Sequence, residues 1–264
     1  MIRVRELAAI SALICTTAAL RALSSGSLEP IREHCTISPS EDTGKLSLRV
    51  QTGDCEDGRH CGSSFSNEAM SRFTGIALGD LANEGAHLTA TLTAEAGTFT
   101  CSGTVHSTAL EGESVFTPDP AFVSRMEQMG FTGYDSEKLM AYTFFDVSSA
   151  WVKTMQQTGI QGLNIETILS LRIFKADPEY MRSITQLGYP MPNAEQLVGL
   201  KIQGVNAEEV RELRALGYQP TLDELIQIRI FKVTPDFIRR MQARGFKNLT
   251  IAKLVQIRIF NLAE

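Results

Sequence analysis

The feature that most restricts this 264-residue chain is a spacing. Gly130, Gly159, Gly188, Gly217 and Gly245 stand 29, 29, 29 and 28 residues apart. The same plan is written around each of them, most legibly in the last copy, TPDFIRRMQARGFKNLTIAKLVQIRIFNL. A period of about 20–50 residues marks an array of stacked units, none of which can bury its own apolar face alone.

Each unit predicts two short helices. A capping residue stands eleven positions before each glycine: Asp119, Ser148, Asp177, Asn206 and Thr234. Their side chains accept hydrogen bonds from the free N–H groups of a first helical turn. Pro120, Pro178 and Pro235 follow three of them, at the one position where a missing N–H is harmless. Each glycine then supplies a left-handed C-terminal cap. A second cap (Asn164, Asn193, Thr221 or Thr250) opens the next helix, and Thr221 with Glu224 fits a capping box. Along residues 225–233 the apolar side chains spread over most of the helix circumference, at about 100° per residue. Such a helix has to be covered on several sides.

One column breaks that apolar pattern. Arg172, Lys201, Arg229 and Arg258 occupy equivalent positions, and Thr143 fills the slot in the first unit. A bare charge among apolar neighbours is costly, so each cation needs a partner or a path to water. Two readings are open. The column is an internal ladder paired with carboxylates at the first-helix starts (Glu179, Glu208, Asp236), or it is a basic stripe that grips a carboxylate-bearing partner. These four cations are the candidate binding residues.

Ahead of the array, residues 1–25 predict a signal peptide: Arg3 and Arg5, then a 14-residue apolar run interrupted only by small hydroxyl residues, then small residues at 22–25. The run is short for a membrane span of about 20 residues, although retention as an uncleaved anchor stays open. No other stretch is apolar enough to span. Export leaves four cysteines, Cys35, Cys55, Cys61 and Cys101, read as two disulfides with three pairings open. His34 and His60 adjoin two of the thiols, but the spacings match no zinc module, and no metal or cofactor is expected.

Residues 27–116 predict a small β-rich domain. Strands are expected at 44–50, 87–93, 98–105 and 114–117, with breaks at 96–97 and 110–112 and a short helix at 67–73 behind Ser66. So thin a unit needs disulfides or a covering neighbour, and Phe116 runs into the first helix cap almost without a linker. The fold class is therefore α+β, a disulfide-bearing antiparallel domain followed by an α-solenoid over 117–264, in about five units starting near 119, 148, 177, 206 and 234.

Charge and motifs narrow the function. The full chain carries a net charge of −5, and a nucleic-acid partner would call for a strongly basic face. HExxH, GxSxG, Walker and GxGxxG signatures are all missing, so no catalytic residue is nominated. His87 and His106 lie in strand-like runs and read as structural. Trp151 shares its slot with Phe122, Tyr180 and Phe237 and reads as core.

The segment AEAGTFTCSGTV…GESVFTPDPAFVSRMEQMGF together with the TPDFIRRMQARGFKNLTIAKLVQIRIF units resembles the extracytoplasmic C-terminal part of BlaR-type antibiotic-sensor membrane metallopeptidases and of related exported bacterial proteins. The resemblance runs from about residue 44 to the C-terminus. The membrane domain and zinc helix of those peptidases have no counterpart here, so no catalytic residue carries over. It implies an extracytoplasmic sensing or interaction module. The expectation is a periplasmic or secreted, non-enzymatic protein that offers a helical-repeat surface to a protein or peptide partner. The alternative is a cell-envelope or small-ligand sensor that uses the β domain.

Overall fold

A computed structural model describes residues 28–51, 63–246 and 248–260. The segment expected as a signal, and Cys55 and Cys61, lie outside the described residues. Seven antiparallel strands come first: β1 (Ile31–Pro39), β2 (Lys45–Gln51), β3 (Ser63–Ala69), β4 (Phe73–Thr74), β5 (His87–Ala94), β6 (Gly97–His106) and β7 (Ala109–Pro118). They form one sheet in the order β3-β2-β1-β7-β6-β5-β4.

The described residues hold seven strands where four are expected. β1 escapes a sequence reading because Arg32, His34 and Thr36 hide its alternation with the inward Cys35 and Ile37. The helix expected at 67–73 is instead the end of β3 and a single 3-10 turn, Met70–Arg72, whose N-cap side makes no capping bond. Pairing of β3 along β2 outweighs a weak local helix signal. The break expected at 110–112 lies inside β7. The hairpin turns earlier, at Ser107 and Thr108, both with positive φ (49° and 66°), as a two-residue turn matched to strand twist requires.

Gly112 lies in mid-strand and serves the sheet. It pairs with Cys35 on one side and Gly103 on the other. A Cβ on Gly112 would come within 2.0 Å of the Ser102 carbonyl oxygen. The disulfide Cys35–Cys101 links β1 to β6 across β7, with its Cα atoms 6.0 Å apart. Two strand spacings would place them about 9.5 Å apart, so the sheet folds sharply over β7, where the glycines leave room.

Among the described residues ten helices follow in five pairs: α1 (Pro120–Gln128), α2 (Ser136–Phe144), α3 (Ser149–Gln157), α4 (Ile165–Ile173), α5 (Pro178–Thr185), α6 (Ala194–Ile202), α7 (Ala207–Ala215), α8 (Leu222–Ile230), α9 (Pro235–Ala243) and α10 (Ile251–Ile259). All five first-helix caps named above accept a backbone N–H. Asn164, Asn193 and Thr221 each close a capping box. The second helices α4, α6, α8 and α10 pack in succession, and α1 packs on α3 and α7 on α9.

The sheet and the first pair share one core. α2 packs on β5, β6 and β7, and the Phe99 and Phe144 rings meet edge to face at 5.1 Å. Tyr142, fully buried, donates its hydroxyl to the Ile165 carbonyl at 2.8 Å and so ties α2 to the next pair. Beyond Ile168 the core continues in two further clusters along the helices.

Candidate functional site: the second-helix edge

Helix pairing places two rows of C-termini on the array. The second-helix row ends in one hydrogen-bonded motif, in which the residue past the cap takes positive φ and the next amide bonds back five residues; the first-helix row shares it after α1, α7 and α9. In the second-helix row these bonds are Val147 to Tyr142, Ala176 to Leu171, Val205 to Leu200 and Val233 to Ile228. The apolar residue that follows is buried every time.

The rows differ in what occupies the left-handed position. After the first helices it is glycine in all five units. After the second helices it is Asp146 (φ 52°), Lys175 (φ 53°), Gly204 (φ 65°) and Lys232 (φ 52°). A side chain in that conformation costs about 1 kcal/mol relative to glycine. Three of these four units therefore keep a charged side chain where a cheaper residue serves elsewhere.

The column cations belong to this edge, and the structure gives each a partner. Arg172 donates from Nε to the Phe145 carbonyl at 3.0 Å and pairs with Asp146 at 3.2 Å. Arg229 donates to the Gln203 carbonyl at 2.7 Å. Arg258 donates twice to the Lys232 carbonyl, at 3.1 and 2.9 Å. Each arginine satisfies a carbonyl at the C-terminus of the preceding second helix, where the helix itself leaves oxygens unpaired and partially negative. Arg72, from the sheet, does the same for α2 by donating to the Thr143 and Phe144 carbonyls.

Within each unit the same cations face the third residue after the first cap. Arg172 lies 5.6 Å from the Trp151 ring centre, Lys201 4.4 Å from Tyr180 and Arg258 4.4 Å from Phe237. In the fourth unit that slot holds Glu209, and Arg229 pairs with its carboxylate at 3.4 Å. The acidic partners are thus Asp146 and Glu209, not Glu179, Glu208 or Asp236; Asp236 pairs with Arg239. Trp151 is only half-buried and serves as the seat of Arg172 as well as packing against the core.

Around this row the edge is uneven and partly apolar. Phe174, Ile202, Ile230, Ile259 and Phe260 are 40%, 49%, 50%, 50% and 67% exposed, so the residues just past the column face solvent rather than core. A cavity of about 650 Å³ opens at the seam between sheet and helices, lined by Lys45, Glu68, Arg72, Trp151, Arg172 and Lys175 among others. A second, of about 350 Å³, lies farther along the same edge, between Gln203, Glu209, Arg229, Lys232 and Arg258.

The sequence reading missed Lys175, Lys232, Asp146 and Arg72. The first three recur at the period of the glycines, one turn past the column, and alignment of the repeats alone contains that signal. Arg72 had none, because its role depends on β3 lying beside α2. His87 and His106 stay exposed and pair with Thr104 and Glu84, both at 3.1 Å. Hydrogen bonds from the Ser107 N–H and from His106 hold the Glu84 carboxyl below its ordinary range. Among the described residues no group of three or more His, Cys, Asp or Glu side chains is placed to hold a metal. No described helix is long and apolar enough to cross a membrane. No protein-family model, curated protein or solved structure matches the chain.

Proposed function

We propose that this is an exported, non-enzymatic interaction protein of the cell envelope, periplasmic or secreted. In this reading its five helix pairs form an α-solenoid whose second-helix edge docks a protein or peptide partner. The observation that carries the reading is the exposure of Ile202, Ile230 and Ile259, each the residue that follows a column cation at the end of a second helix. Large apolar side chains repeated in register on one edge mark a recognition surface rather than scattered exposure. The Cys35–Cys101 bond fits an oxidising compartment. The resemblance of residues 44 onward to BlaR-type extracytoplasmic segments points the same way.

The test is capture from cell-envelope extract by wild type and by the Ile202→Glu, Ile230→Glu, Ile259→Glu variant, with circular dichroism on both. These side chains are half-exposed, so the variant is expected to fold and to lose the partner. Equal capture by both proteins sinks this face as the binding surface. The seam cavity, with Lys45, Glu68 and Arg72 from the sheet, favours a second reading as a small-ligand sensor. That reading requires a ligand to raise the melting temperature of wild type but not of Arg72→Met.

A further inference from the structure

Resting on the docking edge just described, we infer that its occupant is an extended acidic peptide segment of the partner, held by Lys175 and Lys232. Five first-helix caps use glycine at the left-handed position, so the fold itself asks for nothing more. Lys175 and Lys232 take that strained conformation with exposed side chains that enter no ion pair among the described residues. A cation gains from the dipole at any helix C-terminus, yet all five first-helix ends forgo that gain and keep glycine, so the strain at these two lysines is a pointer to function.

Both lysines line cavities, Lys175 the one at the seam and Lys232 the smaller one farther along. The acids beside them are already engaged: Asp146 with Arg172, and Glu209, whose side chain is only 10% exposed, with Arg229. Glu68, also at the seam, pairs with Arg72, and Asp177 is the cap of α5, accepting the Tyr180 N–H. The uncompensated charge at the two cavities is therefore positive, and its complement is a carboxylate.

Shape decides the class of partner. The exposed apolar residues are single side chains separated by clefts, whereas a bilayer surface would be met by a continuous apolar face. Neighbouring packed helices lie about 8–10 Å apart, and a chain extended in the polyproline II conformation rises about 3.1 Å per residue with about three residues per turn, so every third side chain shares a face. An extended peptide with an apolar residue at about every third position, and acidic residues between, matches both the apolar steps and the lysines.

The experiment uses the full chain and a fluorescein-labelled 15-residue peptide of repeated Glu-Asp-Leu, with a Lys-Arg-Leu peptide as the charge-reversed control. Anisotropy is read at low salt and at about 0.5 M salt, where the Debye length falls to a few ångströms. The expected result is binding of the acidic peptide alone, weakened by salt, and weakened at least tenfold in the Lys175→Gly, Lys232→Gly variant. That variant should keep or raise the wild-type melting temperature, because glycine relieves the left-handed strain. Absence of acidic-peptide binding overturns the inference. So does equal binding by the variant, a lower melting temperature in the variant, or binding of anionic vesicles in place of the peptide. If the isoleucine variant loses envelope capture while the glycine variant retains it, the docking edge stands and only the acidic assignment falls.

Discussion

The sheet and the helical array solve the problem of burial in opposite ways. Sheet contacts join residues far apart in the chain, such as Ile31 with Phe116 and Cys35 with Cys101. Array contacts join each unit to the next: the arginine bonds reach back 26 or 27 residues, and Gln156 and Arg214 reach back 27 to the Met129 and Leu187 carbonyls. One region is closed by a few irreplaceable pairings. The other is held by many small, repeated ones. A single lesion should therefore be severe in the sheet and mild in the array.

The largest expected effect is Phe99→Ala. This ring is fully buried and bridges the sheet to Phe144, so its loss should destabilise the chain by about 3–5 kcal/mol in chemical denaturation. Next comes Cys35→Ser with Cys101→Ser, which releases the fold across β7 and should cost about 2–5 kcal/mol. If either change is as mild as an array substitution, the contrast is wrong.

In the array, Arg229→Ala removes the bond to the Gln203 carbonyl and leaves the Glu209 carboxylate unpaired, for about 1–3 kcal/mol. Adding Glu209→Gln should restore part of it, and a double-mutant cycle measures how much belongs to the pair. Gly217→Ala should cost about 1 kcal/mol at a φ of 89°. Lys232→Gly, at the equivalent position on the other row, should instead stabilise by up to about 1 kcal/mol. Opposite signs at these two sites would sharpen the distinction between the rows.

The smallest effect is on pH dependence. Burial pushes the Tyr134 phenol up to about 12 and raises that of Tyr142 as well. The folded state thus holds its phenol protons more tightly than the unfolded chain. Their contribution is complete below about pH 10, the ordinary phenol value, and is lost as pH climbs through the raised folded-state values. Tyr134→Phe should flatten the fall in melting temperature between pH 10 and 12.

The helical half was legible because its information is local. Caps, prolines and glycines act within one turn, so Asp119, Asn164, Thr221 and Gly188 could each be placed by counting. The strands at 44–50, 87–93 and 98–105 were legible for the same reason: alternation belongs to the strand itself. β1 and β3 were not, because their polar residues make sense only beside β7 and β2. The site divided along that line. The sequence by itself determined that Arg172, Lys201, Arg229 and Arg258 form a column, since a period is a property of the string. Only the tertiary structure decided what the column does. The carbonyls and rings it meets belong to other helices, and the strain that singles out Lys175 and Lys232 is a backbone angle no composition records. Local physics writes the helix, whereas the role of each charge depends on what the neighbouring helices bring to it.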